Sequence, residues 1–266
     1  MAGRFPKKMS EAGFIIVFGI IWIYKVSYAK DRITLYRGVL MPPFDFGEGA
    51  LKMASATNSL SQIKGVKPRL VAIVGGTASG KTTLSRDLAR IGGGEVVAVV
   101  PLDAYYRANS HIPREQRDGI NYDHPDAFDV TTAFEQFTAL QRGHGIDMPV
   151  YDFCNHTRSA EVIRVEPRPL VLVEGILTLH YPEFAQLWSY SIFVDTPDEL
   201  RYQRRLARDV KERGRTPESV LTQWQENVHP MHVKFCEPTK LQASEVMYGD
   251  GWDDATVQRL LERLLA

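Results

Sequence analysis

The eight residues Gly75-Gly-Thr-Ala-Ser-Gly-Lys-Thr82 could grip a phosphate chain. They fit the pattern of glycine, four residues, then Gly-Lys-Thr. Gly75, Gly76 and Gly80 allow the tight backbone turns that bring N–H groups onto phosphate oxygens, with Thr77, Ala78 and Ser79 between them. Lys81 can reach the β- and γ-phosphates, and the Thr82 hydroxyl can serve Mg²⁺. Thr83 continues the motif into a helix. Asp103 lies 22 residues beyond Lys81, at the end of an apolar run. There it could accept the proton of an attacking hydroxyl; its plainer role would be a helix N-cap. Glu174 ends another apolar run and could hold Mg²⁺ directly or through water.

A second group of residues could shape an acceptor. Asp123 comes too early in 121–129 to start the helix that follows, whereas Asp126 and Asp129 could do so. A polar side chain of this kind can select a partner hydroxyl. Tyr151, Phe153 and His156 fall on a hairpin-like stretch and could place rings and a polar tip over a flat ligand. The alternative is that these aromatics only pack on the body. Arg201, Arg204, Arg205, Arg208, Arg213 and Arg215 crowd one stretch of a chain whose Lys+Arg and Asp+Glu both number 32. A solvated helix face is the ordinary reading of such a run. In a neutral chain this clustering also suits cations set around transferring oxygens on a lid that excludes water.

The elements that must position these groups are legible. Apolar, β-branched runs at 69–74, 95–100, 169–173 and 190–194 read as buried parallel strands, and 245–248 as a last core strand. Helices are expected over 83–91, 130–141, 197–212, 217–232 and 253–265, with a break at Gly214. Segments 148–153 and 161–165 read as a hairpin beside the main sheet. The P-loop string therefore lies between a strand and a helix, where it is a strong signal. Strand–helix alternation predicts an α/β fold, a P-loop NTPase-type doubly wound parallel sheet with an inserted β-hairpin and an arginine-rich lid. Residues 65–266 form the expected catalytic domain and 1–64 an N-terminal extension.

Composition narrows the classes. With 44% hydrophobic and 24% charged residues the chain is an ordinary globular one. Its zero formal charge gives no support to nucleic-acid binding. Cys154 and Cys236 match no metal spacing or disulfide framework, which suits the cytoplasm. Residues 13–24 are almost wholly apolar behind Arg4, Lys7 and Lys8, but Lys25 ends the run short of the roughly 20 residues a membrane span needs. A membrane contact, a buried helix or a non-native extension fits that run. Membrane contact is the less favoured reading, and the working protein is expected to start near Met53.

The ordered stretches 75–83 (GGTASGKTT), 121–129 (NYDHPDAFD), 149–158 (PVYDFCNHTR), 173–176 (VEGI), 193–196 (FVDT) and 204–215 (RRLARDVKERGR) resemble the uridine kinase (uridine–cytidine kinase) family of P-loop nucleoside kinases, related to phosphoribulokinase. The resemblance implies phosphorylation of the 5′-hydroxyl of uridine or cytidine by ATP or GTP with Mg²⁺. It assigns Asp103 as base, Lys81 and Arg208 to transfer, and Arg213 and Arg215 to the donor phosphates. Thr82 and Glu174 would serve the metal. Asp123 and Arg205 would hold the nucleoside, Tyr151, Phe153 and His156 would surround the pyrimidine, and Tyr106 and Gln223 would complete the pocket. The resemblance also implies a homo-oligomer, commonly a tetramer. Leu102 and Ala104-Tyr105-Tyr106 depart from the family around Asp103, and 240–244 (KLQAS) replaces a common Lys-Lys-Tyr-Ala-Asp.

Overall fold

A computed structural model of the chain describes residues 12–17, 20–29, 32–38, 67–117, 119–249 and 251–266. Met53, where the working protein is expected to start, lies outside them. Contacts divide the chain into Met1–Lys64 and Gly65–Ala266. In the first unit β1 (Ala12–Val17), β2 (Ile20–Ala29) and β3 (Arg32–Gly38) form an antiparallel sheet in that order. The described parts of the apolar run, 13–17 and 20–24, are therefore strand and not the buried helix that was one expectation for it. Their density of isoleucine and valine explains the difference, because β-branched side chains favour the pleated backbone. No helix among the described residues is long and apolar enough to cross a membrane.

The second unit is built on five parallel strands: β4 (Arg69–Val74), β5 (Val97–Pro101), β8 (Leu170–Gly175), β9 (Trp188–Asp195) and β10 (Glu245–Tyr248). Their spatial order is β10-β9-β4-β8-β5. The order runs in opposite directions from β4, so a crevice opens at its carboxyl end, where open α/β sheets take ligands. β4 and β8 read as continuous apolar runs because neighbours cover both faces.

On one face lie α1 (Lys81–Gly92) and, last in the chain, α7 (Asp254–Leu265), packed on each other. All four apolar positions expected of α7, Val257, Leu260, Leu261 and Leu264, are buried. On the other face α3 (Val130–Gln141) buries Ala133, Phe137 and Leu140 in the core that includes Val171 and Val173. The short α2 (Arg114–Arg117) precedes it. Asp129 caps α3, accepting the Thr132 N–H at 3.2 Å, as its position suggests.

The hairpin β6 (Ile146–Asp152) and β7 (Thr157–Val165) forms its own two-stranded sheet. Arg158 fastens it: its guanidinium donates to the carbonyls of Tyr106 at 2.8 Å and Tyr105 at 3.2 Å, and to Asp129 at 3.0 Å. After β9 comes α4 (Asp198–Arg213), closed by Gly214 in the left-handed region at φ 62°. The helix expected over 217–232 is present and continuous, but widened. It runs as α5 (Pro217–Gln223), a π-helical turn at Trp224–Val228, α6 (His229–Met231) and a second π-helical turn at His232–Cys236. Pro230 has no N–H to give, which is one local cause of the widened turns. The departure at 240–244 is locally satisfied. Ser244 and Ser191 exchange side-chain and backbone hydrogen bonds at 2.9 and 3.2 Å, joining β10 to β9.

Candidate active site

The phosphate cradle follows from backbone geometry. Gly75 has φ +149° and Gly80 φ +106°, and Ala78 also sits at positive φ, 60°. A Cβ on Gly75 would lie 2.8 Å from Ser79 Oγ and press on the Val194 carbonyl, so glycine is required there. Gly80 caps α1 without a side-chain hydrogen bond, and no acidic residue occupies the first turn. The first N–H groups of α1 therefore remain available to an anion. Ser79 Oγ is buried with no hydrogen-bond partner among the described residues. Lys81 is buried and donates to the Gly76 carbonyl at 3.0 Å. Burial pulls its pKa down, opposed first by Glu174. A desolvated ammonium beside open N–H groups is the donor set a polyphosphate fits.

The Thr82 hydroxyl donates to Glu174 Oε1 at 3.0 Å, joining α1 to the end of β8. Among the described residues no cluster of three or more His, Cys, Asp or Glu is arranged as a metal cage. One carboxylate, one hydroxyl and substrate phosphates are the hard oxygen set that suits Mg²⁺. Thr83 is exposed on the first turn of α1.

Asp103 stands in a 3-10 turn, Leu102–Tyr105, straight after β5. Pro101 takes the cap position without any side-chain bond, so Asp103 is not a helix cap. Burial, and then Glu174, push the Asp103 carboxyl up to about 6, while Lys81, Arg213 and Arg208 pull it down. The expected base, metal carboxylate, lysine and two arginines thus share one electrostatic neighbourhood. Burial also raises Asp123, with Arg205 opposing it. Asp123 lines a small cavity with Gly76, Thr77, Met231, His232 and Cys236.

The rings gather as one cluster. Tyr106 lies 5.1 Å from Tyr151, 6.4 Å from Phe153 and 5.4 Å from Tyr122, centroid to centroid. Tyr122 stacks on His156 at 5.0 Å and 20°. His156 is held at φ 51°, an uncommon conformation for a non-glycine residue. Tyr122 was not among the residues singled out from sequence. Its place inside the Asn121–Asp129 stretch was the available signal.

The arginine run is only in part a solvated face, Arg213 being exposed. Arg201 and Arg205 are buried. Arg205 donates to Thr77 Oγ1 at 3.2 Å and to Gln223 Oε1 at 3.3 Å, and Arg215 also pairs with Gln223. Gln223 is therefore brought to the arginines, and through Arg205 to the P-loop. Arg201 was expected only as part of the run. Its guanidinium lies against Gly76, where a Cβ would come 2.6 Å from its Cζ, and 5.2 Å from the Trp224 ring centroid.

A parallel sheet, a glycine cradle at its switch point, a buried lysine and a carboxylate of raised pKa define a P-loop phosphotransferase. A profile of the phosphoribulokinase/uridine kinase family matches residues 70–249. The chain is 41% identical over 199 residues to the uridine kinase of Lactobacillus helveticus, covering 74% of this chain and 94% of that one. It is 44% identical over 181 residues to that of Lactococcus lactis subsp. cremoris, covering 68% and 88%. The solved structure of phosphoribulokinase from Rhodobacter spheroides shares the fold, with a TM-score of 0.54 at 16% identity over 68% of this chain and 70% of that one. This chain belongs to the phosphoribulokinase/uridine kinase family.

Proposed function

We propose that the chain transfers the γ-phosphoryl group of ATP or GTP to the 5′-hydroxyl of uridine or cytidine, a pyrimidine salvage reaction yielding UMP or CMP. The observation that carries this reading is the placement of Asp103. Its raised pKa, near a lysine and two arginines, suits a base that works close to neutral pH. Family membership and the curated uridine kinases point the same way.

In this reading Asp103 takes the O5′ proton as O5′ attacks the γ-phosphorus, and the bond to the β–γ bridging oxygen breaks to release the nucleoside diphosphate. Lys81, Arg208, Arg213 and Arg215 stabilise charge on the phosphoryl oxygens. Thr82 and Glu174 would hold Mg²⁺, which neutralises phosphate charge when bound. Asp123 and Arg205 orient the ribose, and Tyr106, Tyr151, Phe153 and His156, with Gln223, enclose the base. Residues 65–266 make the catalytic domain, 1–64 being an extension. We read the protein as a homo-oligomer of the cytoplasm, the two free cysteines suiting a reducing compartment.

A phosphorylated sugar as acceptor would require cations where the rings now gather, so the aromatic cluster favours a neutral planar base. The deciding assay measures ADP formation from MgATP against a panel of nucleosides and sugar phosphates. Uridine and cytidine should stimulate it. Stimulation by a sugar phosphate alone would overturn the proposal.

A further inference from the structure

Asp209 has no part in the chemistry described so far, yet it is the most heavily partnered carboxylate of the arginine stretch. It lies on α4, fully buried, and faces four guanidinium groups. Arg208 donates to its Oδ1 at 2.9 and 2.8 Å through Nε and Nη2. Arg205 Nε stands 3.5 Å from Oδ2, Arg213 Nη1 3.5 Å from Oδ1 and Arg215 Nη1 3.6 Å from Oδ2. The Arg215 backbone N–H also donates to the Asp209 carbonyl at 3.2 Å. A single residue thus binds the helix to the chain that turns back after Gly214.

The four cations divide between two tasks. Arg205 and Arg215 both reach Gln223 and act on Asp123, Arg205 also reaching Thr77. Arg208 and Arg213 act on Asp103. Burial pushes the Asp209 carboxyl up, but Arg205, Arg208 and Arg213 outweigh it and hold it below its ordinary value. One carboxylate cannot neutralise four guanidiniums. Only Arg208 is at full hydrogen-bonding distance; the others are at 3.5–3.6 Å, and each guanidinium has five N–H donors. A guanidinium can therefore hold Asp209 and a second partner at once, as Arg205 and Arg215 already do with Gln223.

We propose that Asp209 is a positioning residue: its carboxylate holds Arg205, Arg208, Arg213 and Arg215 as one unit about the transfer site and supplies their counter-charge until donor phosphates do so. This rests on the phosphotransferase reading above. A carboxylate in this role competes with the phosphates for the same guanidiniums. Removing its charge should therefore strengthen the stabilisation given by MgATP while spoiling the alignment needed for transfer.

The test uses the full chain with Asp209→Asn and Asp209→Glu. Thermal melting with and without MgATP is measured beside steady-state turnover of uridine. Asp209→Asn should lose about 10²-fold in kcat, the scale of a misplacement near 1 Å, with no rise in KM for MgATP. MgATP should raise its Tm by more than it raises that of the wild type. Asp209→Glu keeps the charge one methylene out of place, so its kcat should fall between the other two and its MgATP shift should match the wild type. A folded Asp209→Asn protein with wild-type kcat, or with an unchanged MgATP shift, overturns the proposal. So does failure of both variants to fold, which would assign Asp209 to folding alone. If the wild type turns over no nucleoside, the functional reading fails, while the comparison of MgATP melting shifts still decides the role of Asp209.

Discussion

Replacing Asp103 with asparagine should make the protein more stable and nearly inactive. An ordinary aspartate ionises at 3.8, and Asp103 does so at about 6 because burial and Glu174 oppose its charge. The folded protein thus holds this proton more tightly than the unfolded chain. Stability falls as pH rises from about 3.8 to about 6, and above that the full cost of about 3 kcal/mol is present. Asparagine keeps the shape and carries no charge, so it removes that cost at neutral pH. The pull of Lys81 on that charge is already contained in the value of about 6, so the net gain is up to about 3 kcal/mol and the Tm several degrees higher. With the base gone, kcat should fall by about 10²- to 10⁴-fold. In the wild type, kcat/KM for uridine should climb about tenfold per pH unit below 6 and level off above it. Thermal melts at pH 7.5 and a coupled ADP assay from pH 5 to 8 measure both. An Asp103→Asn protein with near-normal turnover, or with a Tm below the wild type, would refute this account of the site.

Thr82→Ala breaks the bond to Glu174, and either it or Glu174→Gln should raise the Mg²⁺ concentration for half-maximal rate at least several-fold; a Mg²⁺ titration at fixed ATP reads this, and an unchanged midpoint in both would remove the pair from the metal site. His156→Ala should raise KM for uridine more than KM for ATP, and equal increases would contradict its placement. His156→Gly should share that defect yet be about 1 kcal/mol more stable than His156→Ala, since only glycine adopts φ 51° without cost; denaturant melts compare the two. Gly76→Ala sets a methyl against the Arg201 guanidinium and 3.0 Å from His232 Nδ1, so MgATP should no longer raise its Tm. A normal shift would show that the guanidinium yields.

The sheet was legible because buried parallel strands are continuous apolar runs, and 69–74 and 245–248 match β4 and β10 to the residue. Residues 130–141 likewise match α3, whose polar start ends in a capping aspartate. The widening of 217–232 was less legible, because a proline inside a helical pattern signals disturbance without saying whether the helix stops or widens. Asp103 and Glu174 could be read as site candidates because they end apolar strands on one sheet edge. Arg201 and Asp209 were harder. In a run of charges, sequence alone does not tell which members point inward; that depends on the phase of α4 against the P-loop. Tyr122 was hidden for a similar reason, its value lying in a stack on His156 across a long stretch of chain.

The hairpin β6–β7 shares no strand with the main sheet and is fastened by Arg158 to the carbonyls of Tyr105 and Tyr106. Those carbonyls belong to the backbone, so on the hairpin side this part of the fastening depends on Arg158, beside Ile146, Met148 and Tyr151 of β6, which are buried in the core. Most of the rings proposed to read the base therefore sit on a replaceable cassette, docked two and three residues beyond the proposed base. Drift or deliberate exchange within 151–156 could change which acceptor is admitted while the phosphate machinery stays as it is. Arg158 is the residue such an exchange would have to keep.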